Sequence, residues 1–456
     1  MQNIRTHHLI FSTGTSKKVQ WVSKGFKLRG IFLKPICCID IGTTNIKYKL
    51  YASETKVSQY TDPVDTLRDA QSYNYQDPSK ILTTILNRLK YLASKGHSIE
   101  EIAISVPMHT LIYNKQLLLW SDQRADSWVK SFKQVPKSEH FYRLTGTPIH
   151  PMSPFAKIAY LKSQGLLEPK CQLMGLKEFL MQALTGNPWI DLSTASTTGL
   201  LDIHQLSWNR EILSFLGICE DQLGHLVESH ASFPLINSIQ EEIGLKEPVT
   251  VYAGGCDGCL ASWANYSHSH FRNVITIGTS AAVRRLVSKP YLSEDGQSFC
   301  YYLDKNQWVI GGPSNNGGNV LQWWSQIIYN HPDELFNHLD YIIDNHNKSA
   351  REIQVSPHLF GERAPLWDSN TSLSIQGLKY YHKQEDISYA LIIGLFDNIK
   401  RIADQIGIQG PIAVNGKVLA HPKLREVLAT VLNHDIHYVP DCEPADGLFK
   451  LIQSYK

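Results

Sequence analysis

Along residues 36–50 an apolar run (Ile36, Cys37, Cys38, Ile39) enters a short polar turn, Gly42-Thr43-Thr44. The chain leaves that turn with Ile46, Tyr48 and Leu50 alternating against Asn45, Lys47 and Lys49. Alternation beside a glycine-containing turn predicts a β-hairpin. The pattern recurs half a chain later. Val274-Ile275-Thr276-Ile277-Gly278-Thr279-Ser280 repeats Ile39-Asp40-Ile41-Gly42-Thr43-Thr44 almost letter for letter, and an apolar-basic strand over 282–287 follows. Two copies predict two related domains, each turning a hairpin toward a shared cleft. They differ at one informative position, where Asp40 of the first is Thr276 of the second.

Elsewhere the pattern switches between strand and helix periods. Residues 78–95 place Ile81, Leu82, Ile85, Leu86, Leu89 and Leu92 at helical spacing. Residues 101–106 read as a buried strand stopped at Pro107, and a short apolar run follows over 117–120. Three prolines within 145–154 exclude regular helix there. Helices are predicted from about residue 155 and over 177–184, with a polar Ser/Thr-rich turn over 191–200. Strands at 249–252, 308–312 and 412–414 each empty into a glycine-containing turn, and helices follow the last two, near 320–324 and over 422–432. Strands interleaved with helices predict an α/β fold. At 456 residues the chain suits two domains of roughly 200 residues or more. The boundary is set near 265, giving 36–265 and 266–456.

Residues 1–35 stand apart. They carry Arg5, Lys17, Lys18, Lys24, Lys27, Arg29 and Lys34 with no Asp or Glu, and they lack the apolar core of a secretory signal. They read as an extension outside the fold, with a transit peptide as the alternative.

Composition narrows the class. A hydrophobic content of 43% with 19% charged residues describes a globular protein rather than a disordered one. A formal net charge of +2 gives no reason to expect nucleic acid or an anionic membrane as partner. No apolar run reaches the length of a spanning helix. The eight cysteines are scattered, and Cys256-Asp-Gly-Cys259 has C-x-x-C spacing. Redox chemistry or half a zinc site is one reading of it. No second pair or nearby histidine completes a metal site, so reduced core cysteines in a cytoplasmic protein are expected.

Candidate chemistry gathers at strand ends. The first hairpin turn offers a glycine, two hydroxyls and backbone N–H groups, which suit phosphate oxygens, and Asp40 just before it suits Mg²⁺. The plainer alternative is a hairpin whose threonines cap their own backbone. His109 lies directly past the 101–106 strand, where open α/β sheets bind ligands. The run over 117–120 delivers Asp122 and Arg124, the first to accept bonds from hydroxyls and the second to fix a carboxylate or Asp122 itself. Asp257, within Gly254-Gly255-Cys256-Asp257-Gly258, sits where a general base would take a proton from a substrate hydroxyl as that oxygen attacks phosphorus. The alternative is an aspartate that closes a glycine-rich turn. Residues 357–368 mix charge and aromatics and read as a brace between domains.

Together these pieces resemble the FGGY family of carbohydrate kinases, over about residues 36–450. The resemblance rests on Asp40-Ile-Gly-Thr-Thr44, Ile277-Gly-Thr-Ser280 and Gly-Gly-Cys-Asp257-Gly in their order and separation. It implies two ribonuclease H-like (actin-like ATPase) domains flanking a cleft that closes on a small sugar and ATP, with Mg²⁺. It implies Asp257 as catalytic base, Asp40 on the metal side, and Met108, His109, Trp120, Asp122, Arg124 and Asp257 around the sugar. Thr43, Thr44 and Lys47 would meet the distal phosphates. Gly278, Thr279, Gly318 and Gln322 would line the nucleotide, with Asn415 and Gly416 near the adenine.

Met108-His-Thr-Leu111, Trp120-Ser-Asp-Gln-Arg124, Gly146-Thr-Pro-Ile-His-Pro-Met-Ser-Pro154, Gly311-Gly-Pro-Ser-Asn-Asn-Gly-Gly318 and Gly361-Glu-Arg-Ala-Pro365 look like the gluconate-kinase branch. That branch implies phosphorylation of D-gluconate to 6-phosphogluconate, with Arg124, Lys157 or Lys177 as the cation for the carboxylate. The alternatives are a xylulose, other pentulose or glycerol kinase, or a non-catalytic sugar- or nucleotide-binding relative. A homodimer is compatible with the resemblance. The chain departs from the family pattern in having Asn415-Gly416 where Gly-Gly is usual, in a C-terminus shorter by about a helix, and in a compact segment after Leu50.

Overall fold

The computed structural model describes residues 34–53, 56–69, 73–440 and 442–456. The reading of residues 1–35 therefore falls, apart from its last two residues, outside the described part.

The first hairpin opens a six-stranded sheet. Its strands are β1 (Ile36–Ile41), β2 (Asn45–Tyr51), β3 (Val57–Pro63), β4 (Glu101–Val106), β5 (Ser232–Pro234) and β6 (Thr250–Cys256), in the spatial order β5-β6-β4-β1-β2-β3. All six residues of β1 are buried, which is why that stretch reads as a continuous apolar run, whereas β2 alternates. β1 and β2 are antiparallel, with Ile41 opposite Ile46, and β1 pairs parallel with β4, as β4 does with β6.

The second sheet repeats this plan. Its strands are β7 (Asn273–Ile277), β8 (Ala281–Val287), β9 (Phe299–Asp304), β10 (Gln307–Ser314), β11 (Ile412–Asn415) and β12 (Ile436–Tyr438), in the order β9-β10-β8-β7-β11-β12. A hairpin, a third antiparallel strand (β3 or β10) and two parallel strands (β4 and β6, or β11 and β12) recur in both. The second turn is tighter: Ile277 faces Ala281, one residue sooner than Ile41 meets Ile46.

Helices cover the sheets where the 3.6-residue pattern predicts them. In α1 (Pro78–Ser94) Asp77 accepts hydrogen bonds from the N–H groups of Ser79 and Lys80, Pro78 starts the first turn, and Ile81, Ile85, Leu89 and Leu92 are buried. Ser153 caps α2 (Pro154–Ser163), and α3 (Leu176–Thr185) follows. The stretch read as a polar turn over 191–200 instead contains α4 (Leu192–Ser196), all buried. Asp191 accepts from both the N–H and the hydroxyl of Thr194, so the cap outweighs the poor helix propensity of Ser and Thr.

Further along lie α5 (Asp257–Ser269), α6 (Gly318–Tyr329), α7 (Gln384–Gln405), α8 (Pro422–Leu432) and α9 (Pro444–Gln453). The last of these returns to the first sheet. Phe449 stacks on Tyr51 at 4.0 Å, Asp446 pairs with Lys49 at 2.8 Å, and Gly447 lies so close to α5 that a Cβ there would stand 2.1 Å from the Leu260 carbonyl oxygen. The stretch expected as a second domain, 266–456, thus ends in a helix packed on the first sheet.

Candidate active site

Strand β6 delivers Asp257. Gly254 has a φ of 73° and brings the backbone against β4, where a Cβ would stand 2.1 Å from the Ile104 carbonyl oxygen. The pairing of β6 with β4 shifts register between Tyr252 and Gly255, and the strand ends at Cys256. Asp257 is the first residue of α5, where the helix dipole favours a negative charge. Its Oδ1 accepts from Gly258 N at 2.7 Å and Met108 N at 3.4 Å. Burial pushes its carboxyl above the usual range, while the Gly258 N–H and the charge of Arg284 pull it back.

Asp257 lines a cavity of about 220 Å³ with Met108, His109, Trp120 and Met152 of the first half. Thr276, Ser280, Ala281, Ala282, Arg284, Phe299, Tyr301, Pro313 and Arg363 of the second half complete it. A larger cavity of about 650 Å³ lies between residues 350–358 and α7 and contains none of the candidate residues.

His109 has a φ of 65°, the left-handed region. Its Nδ1 lies 2.7 Å from the Thr197 carbonyl oxygen, so Nδ1 carries the proton and donates. The Tyr301 hydroxyl, 3.4 Å from Nε2, then donates to it. Burial and then the charge of Lys157 lower the imidazole to about 3, so it stays neutral at ordinary pH. Tyr301 is itself fixed by stacking on Phe299 at 4.6 Å.

The first turn presents Thr43 half-buried and Thr44 exposed, and the buried Gln76 braces it by donating to the Thr43 carbonyl oxygen at 2.6 Å. Asp40 is buried. Its Oδ1 accepts from the Ser105 hydroxyl at 2.9 Å, and its Oδ2 accepts from no described residue. Burial, and next the charge of Asp257, push it up to about 7. A buried carboxylate with a free oxygen beside a second carboxylate is a setting that a divalent cation relieves, so Asp40 fits the metal-side role.

In the second hairpin, a Cβ on Gly278 would meet nothing within 4 Å, leaving open space at the turn beside the exposed Thr279. Gly318 opens α6 and donates its N–H to the Gly278 carbonyl oxygen at 2.8 Å. Glycine turns that leave backbone reachable suit a phosphate chain, so this face fits a nucleotide. At the third turn Gly416, not Asn415, takes the positive φ, at 94°, while Asn415 is a buried strand end donating to Asn265 Oδ1 at 2.7 Å. The turn therefore keeps its one obligatory glycine.

Other expected residues are engaged elsewhere. Asp122 is fully buried and bound by the Arg124 guanidinium at 2.8 Å, and Arg124 also reaches Asp69 at 3.3 Å; neither lines the cavity. Lys157 donates to the carbonyl oxygens of His109 and Met152, and Lys177 to those of Ile104 and Ala253 while pairing with Asp191 at 3.2 Å. Lys47 pairs with Glu443 at 2.6 Å and Gln322 donates to Asp333 at 3.0 Å. The cations that do line the cavity are Arg284 and Arg363.

Arg284 falls in the apolar-basic strand after the second hairpin, where only its basicity marked it. Arg363 belongs to the loop read as a brace. Its neighbour Glu362 ties the loop within the second half, accepting from Ser314 Oγ, Asn315 N, Asn316 Nδ2 and Asn398 Nδ2, while the Arg363 guanidinium lies over the Trp120 ring of the first half at 4.5 Å. Phe299 and Tyr301 carried no signal beyond apolar alternation. Cys256 and Cys259 are buried free thiols, and burial raises Cys259 well above its ordinary value.

The sequence pattern described as the N-terminal domain of the FGGY family of carbohydrate kinases matches residues 36–263, and that of the C-terminal domain matches 273–445. The chain is 32% identical over 392 residues to a gluconokinase of Bacillus subtilis, covering 79% of this chain and 74% of that protein. It is 29% identical over 431 residues to a gluconokinase of Bacillus licheniformis, covering 87% and 83%. Among solved structures it superposes on a ligand-bound xylulose kinase and on a gluconate kinase, both from Lactobacillus acidophilus, with TM-scores of 0.86 and 0.85. Each is 26% identical and is matched over 92% of this chain and 89% of the other. No described helix is long and apolar enough to cross a membrane.

Proposed function

Because the chain belongs to the FGGY family of carbohydrate kinases, we propose that it transfers the terminal phosphoryl group of ATP to D-gluconate, giving 6-phosphogluconate and ADP. The observation that carries this reading is the cavity in which Asp257 meets two guanidinium groups, a surrounding suited to an anionic polyol. The Asp257 carboxylate accepts the proton of the sugar's primary hydroxyl as the hydroxyl oxygen bonds to the terminal phosphorus and the bond to the bridging oxygen breaks. Met108 N–H orients the carboxylate, and neutral His109, held by Thr197 and Tyr301, adds a polar ring to the cavity wall. Thr43 and Thr44 on one turn, with Gly278 and Thr279 on the other, flank the space for the phosphates, and Gly318 and Gly416 line the nucleotide. Asp40 would hold Mg²⁺, which neutralises charge on the β- and γ-phosphates when bound. The free thiols suit a reducing compartment such as the cytoplasm.

A second reading, a xylulose kinase, draws on the equal likeness to that structure. The test is ADP formation by purified protein with Mg²⁺ and gluconate, xylulose, ribulose or glycerol. Turnover with gluconate alone is expected; turnover with xylulose alone overturns the gluconate assignment and keeps the mechanism.

A further inference from the structure

The cavity contains one carboxylate and two guanidinium groups, and neither arginine is in an ion pair among the described residues. The Nε of Arg284 is buried with no hydrogen-bond partner. Arg363 donates from Nε to Asn315 Oδ1 at 2.8 Å and from Nη2 toward the Ser314 carbonyl oxygen at 3.5 Å, both neutral acceptors. Glu362, next in sequence, accepts from backbone N–H groups, Arg363 N among them, and from Ser and Asn side chains; it makes no hydrogen bond to this guanidinium, though its charge acts on it. His109 adds no charge, because its Nε2 accepts from Tyr301. Asp257, Arg284 and Arg363 are the charged groups on the cavity wall, and the buried Glu362 acts on Arg363 from behind it. A monoanionic ligand offers Arg363 the charge-assisted hydrogen bonds that its present neutral acceptors do not, and a neutral polyol cannot.

The two arginines are not equivalent. Arg284 Nε lies 3.8 Å from the point where a side chain on Gly258 would begin, beside Asp257, the end at which the reacting hydroxyl must sit. Arg363 is instead held over Trp120, with its planar fork fixed and its Nη1 bonded to no described residue. An open-chain sugar acid carries its carboxylate at the opposite end from its primary hydroxyl. Resting on the sugar-acid reading above, we propose that Arg363 binds the substrate carboxylate and is the residue by which this site selects acids over neutral polyols. Trp120 orients the guanidinium, and Arg284 serves the reacting end.

The experiment compares D-gluconate with D-glucitol, which has the same carbon chain with a hydroxymethyl group in place of the carboxylate. Binding is measured by calorimetry in the wild type, Arg363→Gln and Arg363→Lys. The wild type is expected to favour gluconate by roughly 10- to 100-fold, the strength of a charge-assisted hydrogen bond. Arg363→Gln should erase that preference by weakening gluconate alone. Arg363→Lys should retain part of it, because the charge stays and the fork is lost. The lysine variant carries the test if the glutamine variant melts early. Equal wild-type affinity for both ligands, or equal weakening of both in the variants, overturns the proposal. Turnover of a different sugar acid with the Arg363-dependent preference intact would sink the gluconate reading and leave this proposal standing. Gluconate turnover with the preference surviving in both variants would do the reverse.

Discussion

A carboxylate works as a base only while ionised, and the surroundings of Asp257 act on that condition in opposite directions. Burial favours the protonated form, while the Gly258 N–H and Arg284 favour the charged one. Asp257→Asn keeps the shape and removes the proposed base, so turnover should fall roughly 100- to 10,000-fold, with sugar binding by calorimetry nearly unchanged. Retained turnover would exclude Asp257 as base. Arg284→Met removes the nearby positive charge, so the pKa of Asp257 should rise. Since the base must be deprotonated, the acid limb of the kcat/KM profile against pH should move to higher pH, whatever the change in its height. A limb that stays in place would show that Arg284 does not act on the base. The place of Asp257 in the cavity was legible in the sequence because it follows a strand at its carboxyl end, between glycines, where α/β sheets gather their ligands. Arg284, Tyr301 and Arg363 were not, because they come from three separate segments of the other half and nothing local tells which face of a strand or loop they occupy. The same blindness made Lys157 and Lys177 look available for a substrate carboxylate, when both are tied to backbone carbonyls and Lys177 also to Asp191, whereas the Arg124–Asp122 pair was one of the two readings the sequence offered.

The paired hairpins and the strand–turn–helix units could be read directly, because alternation and glycine turns are local signals. Two features could not. The buried turn of helix at Leu192–Ser196 depends on a cap by Asp191, and the docking of α9 on α5 is a contact between segments some 190 residues apart in sequence. The glycines separate structural from ligand-facing turns. A Cβ on Gly447 would stand 2.1 Å from the Leu260 carbonyl oxygen, so Gly447→Ala must push α9 off the helix that begins with Asp257. A loss of about 1–3 kcal/mol is expected from overpacking at such a contact, read as a lower melting temperature. At Gly278 the same methyl group meets nothing within 4 Å, and its φ is not in the left-handed region. Gly278→Ala should therefore melt like the wild type and yet raise KM for ATP about tenfold, by about 1.4 kcal/mol of lost binding, with KM for the sugar unchanged. A lower melting temperature with unaltered KM would assign that glycine to the fold instead.

Across the protein, buried groups pull stability in opposite directions with pH. Burial alone would raise Glu443 and Asp446, yet the ammonium groups of Lys47 and Lys49 hold Glu443 below its ordinary value, and Lys49 with Tyr51 does so for Asp446. The link these acids make between α9 and the first sheet is lost as pH falls through their folded values. Glu178 behaves oppositely. It is buried at the start of α3, its Oε2 accepts from Gly175 N at 3.1 Å, and burial raises it from 4.5 to about 7. Between those values the folded protein holds a proton that the unfolded chain has released, so stability falls as pH rises from about 4.5 to about 7. The full shift corresponds to about 3 kcal/mol at 1.36 kcal/mol for each pH step. Glu178→Gln keeps an oxygen for the Gly175 N–H and removes the titration. Relative to the wild type, the variant should gain nothing near pH 4.5 and should be more stable by up to about 3 kcal/mol above pH 7.5. Denaturant unfolding of both proteins at the two pH values measures this directly. A difference that does not change with pH would mean that Glu178 is ionised in the folded protein, and that the Lys177–Asp191 pair beside it accommodates a third charge.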